Sequence, residues 1–390
     1  MALAISTAAM GQAAPERTID EIKAEAQARA ERGAYPLIGL DPSDVREALG
    51  DIHTRDRDEW AAAWSKVAER YYKKAKADAA PGEKRADFLK AWRLYYFAQW
   101  PVATSPGKKA AYQKALDAYV QGAKLLSPEI EVVHIPFEGK EIVGYLRLPA
   151  DAAGPVPLVL GVSGLDSRKE NLQENYAALL QHGIGLFTMD GPGTGQSTVK
   201  ASPTADRELS KVIDYLRTRK EIDPARVLLQ GVSFGGYWAS KLSITERERL
   251  RAVVAQSPPV DTFFQADYVD SALLGNKEYL FDIVPAFLNV VEGAATVDDL
   301  KRQFPKLSLR AQGLLGKPTT PFLIVAGVKD TQVPISDAYL FLSNGDVPKD
   351  AWINPRGGHL GREPRGWTDG EIFRKVILPW EVRMLSDSHE

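Results

Sequence analysis

The chain has 390 residues, 44% of them hydrophobic, which is long enough for a main domain and an accessory one around a sizeable core. A formal net charge of −2 with both signs mixed leaves no basic stripe for nucleic acid, and no apolar run reaches membrane-spanning length. The absence of cysteine excludes disulfides, thiolate metal sites and a cysteine nucleophile together, and it suits cytoplasm and periplasm alike.

Residues 1–14 form a short apolar run ending in small residues at Gly11 and Ala13. They read as the second half of a secretory signal without its basic start, or as an Ala-rich terminus; export and cytoplasmic residence both stay open. Residues 15–128 read as a helical domain. Aromatics recur there at helical spacing: Trp60, Trp64 and Tyr71, then Phe88, Trp92, Tyr95, Tyr96 and Trp100. The plain reading of these rings is helix–helix core; the sharper one turns Tyr95, Tyr96 and Trp100 toward a substrate. Pro81-Gly82 and Pro106-Gly107 are read as the turns between helices.

At Pro128 the pattern changes, and residues 129–390 read as a mostly parallel, doubly wound α/β domain. A hairpin around Phe137-Glu-Gly-Lys140 comes first. Strands and helices then alternate: a strand at 157–162, a helix over 171–182, a strand at 184–189, a helix over 206–219 and a strand at 227–229. Strands at 250–256, 321–326 and 349–354 follow, and a helix over 369–386 closes the chain. Between Gln256 and Pro321 lie about sixty residues, too many for a structureless loop, so 261–317 is expected to be an inserted helical lid. It leaves the carboxyl end of a strand, where open α/β sheets bind ligands.

The strand at 227–229 runs into Gly231-Val-Ser233-Phe-Gly235, the G-x-S-x-G nucleophile elbow. A serine on a strained strand-to-helix turn projects its hydroxyl clear of the sheet. The chain doubles back so tightly that side chains two residues to either side would collide, hence the paired glycines. The serine needs a base, and the base needs an orienting acid. Of the five histidines, His53, His134, His182 and His389 read as surface or packing residues. His359 lies in the glycine-rich Arg356-Gly-Gly-His-Leu-Gly361, just after the last strand. Asp330 leaves the carboxyl end of the strand before it; Asp337 is the fallback. The order Ser233, Asp330, His359 is that of α/β-hydrolases.

An oxyanion hole needs two N–H groups. Phe234 supplies one; Leu165 or Gly164, in the loop Ser163-Gly-Leu-Asp-Ser-Arg-Lys-Glu170, supplies the other. Ser167 and Glu170 have capping-box spacing for the next helix. Asp166 reads either as an auxiliary group handling a proton or contacting substrate, or as a helix N-terminal acid. Gly191-Pro-Gly-Thr-Gly195 has its third glycine one place early for a dinucleotide loop. No histidine pair has metal spacing, and no metal or organic cofactor is implied.

The elbow, the loop Asp190-Gly-Pro-Gly-Thr-Gly-Gln-Ser197 and Gly164-Leu-Asp-Ser-Arg-Lys-Glu170, behind helical N-terminal residues, resemble one branch of the α/β-hydrolase superfamily. That branch includes the 2,6-dihydroxypseudooxynicotine hydrolase, fungal pigment-pathway heptaketide-shortening hydrolases and FrsA-like esterases. The resemblance runs from about residue 60 to the end. It implies a helical domain capping the active site, and, in some members, cleavage of a carbon–carbon bond beside a ketone. It also implies a catalytically important glutamate in the loop where this chain has Asp166. The shorter aspartate favours ester cleavage.

The expected function is a serine hydrolase with an acyl-enzyme, acting on a mid-sized, partly apolar or aromatic small-molecule carbonyl substrate, most simply an ester. A C–C bond hydrolase is the alternative. A non-catalytic hydrolase-fold binding module is the alternative of another class. Tyr95, Tyr96, Phe263, Phe264 and Tyr268 are the candidate pocket walls. No nucleic acid or membrane partner is expected, and a homodimer stays open.

Overall fold

The sheet is built from β1 (Glu131–Phe137), β2 (Lys140–Arg147), β3 (Val156–Val162), β4 (Gly185–Met189), β5 (Ile222–Val232), β6 (Ala252–Gln256), β7 (Phe322–Gly327) and β8 (Asp350–Asn354). Their spatial order is β1-β2-β4-β3-β5-β6-β7-β8. β1 pairs antiparallel with β2, and β2 with β4; the remaining pairings are parallel. This computed structural model describes residues 17–386 except 78, 79, 275, 277 and 346. The Ala-rich residues 1–14 and His389 lie outside the described residues. Among the described residues no helix is long and apolar enough to cross a membrane.

The central strands are apolar at successive positions because both faces are covered. Leu158, Leu160, Leu229, Val253 and Ile324 enter one core; Val159, Leu228, Val254, Leu323 and Val325 enter the other. The period of two along each strand makes this division. Helices α6 (Lys169–Asn175), α7 (Asp206–Thr218) and α8 (Phe234–Thr245) connect the strands. α7 and α8 cover the first face, while α6 and the closing helical segment at 369–385 cover the second. The helix expected over 171–182 divides at Tyr176 into α6 and a tighter 3₁₀ segment, Ala177–His182.

Ahead of the sheet run α1 (Ile19–Arg32), α2 (Pro42–Gly50), α3 (Arg57–Ala77), α4 (Pro81–Gln99) and α5 (Pro106–Ala123). Pro81 and Pro106 are not in turns. Each is the first helical residue, where a missing N–H costs nothing and a fixed φ suits the helix. The expected ring core is present: Trp60, Trp64 and Phe97 pack together, with Phe97 edge-on to Trp64 at 4.6 Å. That core is continuous with the α7/α8 face of the sheet, so the helices are not a detachable appendage.

The segment between β6 and β7 is helical, with Ile283–Val290 and Val297–Leu307 as its main helices. Asp337 receives the backbone N–H groups of Val260, Asp261, Thr262 and Phe263, which fixes the start of this insertion. Asp261 closes its base by accepting from Ser308 Oγ (2.5 Å) and Arg310 Nε (2.7 Å). The insertion is also clamped to the N-terminal helices. Asp282 pairs with Lys108 of α5 and, at 2.8 Å, with Arg57 of α3. The Lys108 and Asp282 side chains are only 1% and 3% exposed. A buried pair of this kind hurts most when one half is removed. Asp282→Ala should therefore cost about 3–5 kcal/mol of stability, and Lys108→Met combined with Asp282→Leu should regain most of it. Denaturant unfolding of the two variants checks this; equal losses in both would show that packing, not charge, holds the clamp.

Candidate active site

Ser233 sits between β5 and α8 with φ +53° and ψ −118°, the elbow expected from the motif. Its N–H donates to Gln256 O (2.8 Å) at the end of neighbouring β6. The glycines are sterically required. A Cβ on Gly231 would lie 2.2 Å from Gly235 O, and one on Gly235 would lie 2.4 Å from Val162 O. The helix begins at once with Phe234, so the dipole end lies directly behind the hydroxyl.

His359 follows β8. Its loop leans onto the end of β7 so closely that a Cβ on Gly327 would meet Gly358 O at 2.2 Å. This places His359 Nε2 2.9 Å from Ser233 Oγ and Nδ1 2.9 Å from Asp330 Oδ2. The His359 and Asp330 side chains are 7% and 2% exposed. Asp330 Oδ1 accepts from the N–H groups of Gln332 (2.8 Å) and Val333 (2.9 Å). Burial pushes the Asp330 carboxyl up. The facing imidazole and these N–H groups outweigh burial and hold it below the usual carboxylate range. Asp337, the fallback acid, is engaged with the insertion instead.

The β3 loop settles which N–H is free. Gly164 N–H donates to Ser167 Oγ (2.8 Å), which removes it as a candidate. The N–H groups of Leu165 and Phe234 donate no hydrogen bond among the described residues. Ser167 and Glu170 do not form the expected capping box. The helix starts at Lys169, and Arg168 N–H donates to Asn171 Oδ1 (2.8 Å). Glu170 is buried and pairs with Lys169 Nζ (3.0 Å), which also reaches Asp190 Oδ2 (2.9 Å). Burial disfavours the Lys169 ammonium, but Asp190 and Glu170 outweigh it and hold its pKa above the ordinary value. The Asp190 loop is thus an internal lock, which also takes the N–H groups of Lys169 and Gln196 (both 3.0 Å).

The N-terminal helices hold this same loop. Arg168 donates to Leu165 O (3.1 Å), Ser167 O (2.6 Å) and, beyond α4, Pro101 O (2.7 Å). Tyr96 OH donates to the backbone oxygen of Asp166 (2.5 Å). The Asp166 carboxylate accepts from Tyr35 OH (2.7 Å) and Trp100 Nε1 (3.1 Å) through Oδ2. Two donors on one oxygen are more than a helix-terminal acid needs.

A cavity of about 440 Å³ opens at Ser233 and His359, bounded by Tyr35, Trp92, Tyr96, Asp166, Tyr176, Tyr279, Arg362 and Phe373 among others. Of the expected walls, Tyr96 lines it, and Phe263 lines a smaller neighbour of about 20 Å³. Tyr95 does not: adjacent helical residues point about 100° apart, and its hydroxyl donates to Glu69 Oε2 (2.6 Å). Phe264 packs edge-on against Tyr237 and Phe304, and Tyr268 donates to Gln332 O (2.9 Å); neither lines either cavity. Trp100 approaches the site through Asp166 and stacks on Tyr279 at 5.5 Å.

Tyr35 and Arg362 were not anticipated. Arg362 donates to His359 O (3.0 Å), and its guanidinium lies 4.9 Å from the Tyr35 ring centroid. The link ties the histidine loop to the connection between α1 and α2. The only sequence signal was proximity: Arg362 stands three residues beyond His359. Tyr35 offered none.

A family model described as esterase FrsA-like matches residues 46–353, a span that includes Ser233 and Asp330 and stops short of His359. The hydrolyase poxO of Penicillium oxalicum is 31% identical over 264 residues, covering 62% of this chain. The alignment spans 62% of that relative's own length, less than two thirds. The esterase FrsA of Vibrio cholerae serotype O1 is 29% identical over 338 residues, covering 80% of this chain and 79% of its own. Among solved structures, the 2,6-dihydroxy-pseudo-oxynicotine hydrolase superposes with a TM-score of 0.72 at 22% identity, over 92% of this chain and 95% of that one. The structural likeness shows the fold; the family match shows the lineage. The chain belongs to the FrsA-like esterase family and carries the α/β-hydrolase fold.

Proposed function

We propose that this protein is a serine hydrolase that cleaves a carboxylic ester through an acyl-enzyme. The observation that carries the reading is the unbroken hydrogen-bond chain from Ser233 through His359 to Asp330, opening on a cavity beside two N–H groups that are unengaged among the described residues. Ser233 Oγ attacks the carbonyl carbon while its proton passes to His359 Nε2. Asp330 keeps the other imidazole proton on Nδ1 and stabilises the imidazolium. The oxyanion accepts from Phe234 and Leu165 N–H. The carbon–oxygen bond to the alcohol breaks as His359 returns the proton to the leaving oxygen. Water, deprotonated by His359, then attacks the acyl-enzyme, releasing the acid and restoring the serine proton.

The cavity volume suits a mid-sized ligand, and Trp92, Tyr96, Tyr176 and Phe373 give it aromatic walls. The N-terminal helices and the insertion act in this reading as cap and lid, since both contribute side chains to the walls. C–C cleavage beside a ketone is the second reading, supported by Asp166: it lines the cavity, and Oδ1 is left free of hydrogen bonds among the described residues. A carboxylate held there can manage the proton of a carbon leaving group.

A fluorophosphonate probe should label the wild type and spare Ser233→Ala. Asp330→Asn should lower kcat on a 4-nitrophenyl ester by about 10⁴-fold, because the amide favours the wrong imidazole tautomer. No labelling and no turnover in the wild type would return the chain to a binding-module role.

Asp166→Asn separates the two chemistries. Under ester cleavage, kcat/KM on the aryl ester should stay within about tenfold of wild type. Under C–C cleavage, turnover of a β-diketone or aryl ketone should fall by about 10²–10⁴-fold. A parallel assay of both substrates reads the difference.

A further inference from the structure

Ser233 stands between two cavities of very different size. The larger, about 440 Å³, contains His359, Leu360, Gln256 and Asp166. The smaller, about 20 Å³, contains Leu165 and Phe234, the two residues with unengaged N–H groups, but not His359. Ser233, Tyr279 and Gln332 border both. A carbonyl carbon on Ser233 Oγ has two substituents to place once its oxygen turns to those N–H groups. The leaving oxygen must receive its proton from His359 Nε2, so the leaving group belongs in the cavity that His359 lines. The acyl substituent is left with the other.

Resting on the ester-hydrolase reading above, we infer that the small cavity is an acyl pocket restricted to short chains. The substrate class is then an acetyl-sized ester of a bulky, partly aromatic alcohol or phenol. A void of 20 Å³ holds about one water-sized sphere, which accommodates an acetyl methyl or about one carbon more. Its remaining walls are Pro259, Phe263, Leu273, Asn276, Ile283, Phe287 and Val333. Five of these come from the insertion, and the apolar four among them, Phe263, Leu273, Ile283 and Phe287, are each at most 6% exposed.

The walls are also stiff. Phe287 packs against Phe234 (6.1 Å), Phe263 (5.9 Å) and Phe304 (5.2 Å), so a longer acyl chain has to displace an interlocked ring cluster. The insertion therefore selects the acyl group, while the N-terminal helices, through Tyr35, Trp92 and Tyr96, face the alcohol.

The test is a 4-nitrophenyl acetate, butyrate and octanoate series. In the wild type kcat/KM should fall about tenfold or more from acetate to butyrate, and further to octanoate. Ile283→Ala and, separately, Leu273→Ala should raise the butyrate-to-acetate ratio of kcat/KM by about tenfold. The ratio is read within each preparation, so partial misfolding of a variant does not imitate the effect. A wild type that prefers butyrate or octanoate overturns the proposal, as does a ratio unchanged within twofold in both variants. Failure of the wild type on every ester, with no phosphonate labelling, overturns the ester-hydrolase reading itself and this assignment with it.

Discussion

The backbone at Ser233 is the constraint around which the site is arranged. A non-glycine residue at φ +53° carries strain on the order of 1–3 kcal/mol, and it persists only where the surroundings over-determine it. Here β3 and β6 press the turn from both sides. Gln256 O takes the serine N–H, and the passing of β5, α8 and the β3 loop leaves no room for a Cβ at Gly231 or Gly235. The same crowding recurs where the histidine loop meets β7 at Gly327. Strain at one residue thus fixes an oxygen in space, and close backbone approach at another brings the imidazole to it.

Around that centre the protein buries opposite charges together. Arg168, Lys169, Glu170 and Asp190 are all buried, in or against a single loop. Each taken alone would be costly to desolvate, and together they neutralise one another. Such a cluster is rigid because every displacement separates opposite charges in a low-dielectric setting. The loop it immobilises carries Leu165 and Asp166, so the buried charges position a potential oxyanion donor without touching the reacting atoms.

The N-terminal helices share this work. Arg168 reaches Pro101, Tyr96 and Trp100 reach Asp166, and Arg362 lies against Tyr35. The insertion joins them through the buried pair of Lys108 and Asp282. Roof and floor of the cavity are therefore one mechanical unit. The continuous apolar core beneath them argues the same: residues distant in sequence bury one another.

Local chemistry made the candidate triad legible in the sequence. The elbow needs glycines at fixed offsets, the histidine loop needs glycines where backbones meet, and a place at the carboxyl end of a strand assigned Asp330 over Asp337. Strand periodicity was equally readable, because a strand buried on both faces must be apolar throughout. Proline and capping spacing misled, since Pro81 and Pro106 suit a first helical turn as well as a loop, and Ser167 was engaged by Gly164. What faces the cavity was settled by tertiary packing alone. Tyr95 and Tyr96 are neighbours of like chemistry, and only the rotation of α4 against the β3 loop sends one to Glu69 and the other to Asp166. Tyr35 and Arg362 meet across more than three hundred residues, a contact that no local pattern encodes because it depends on how two separately specified layers close on each other.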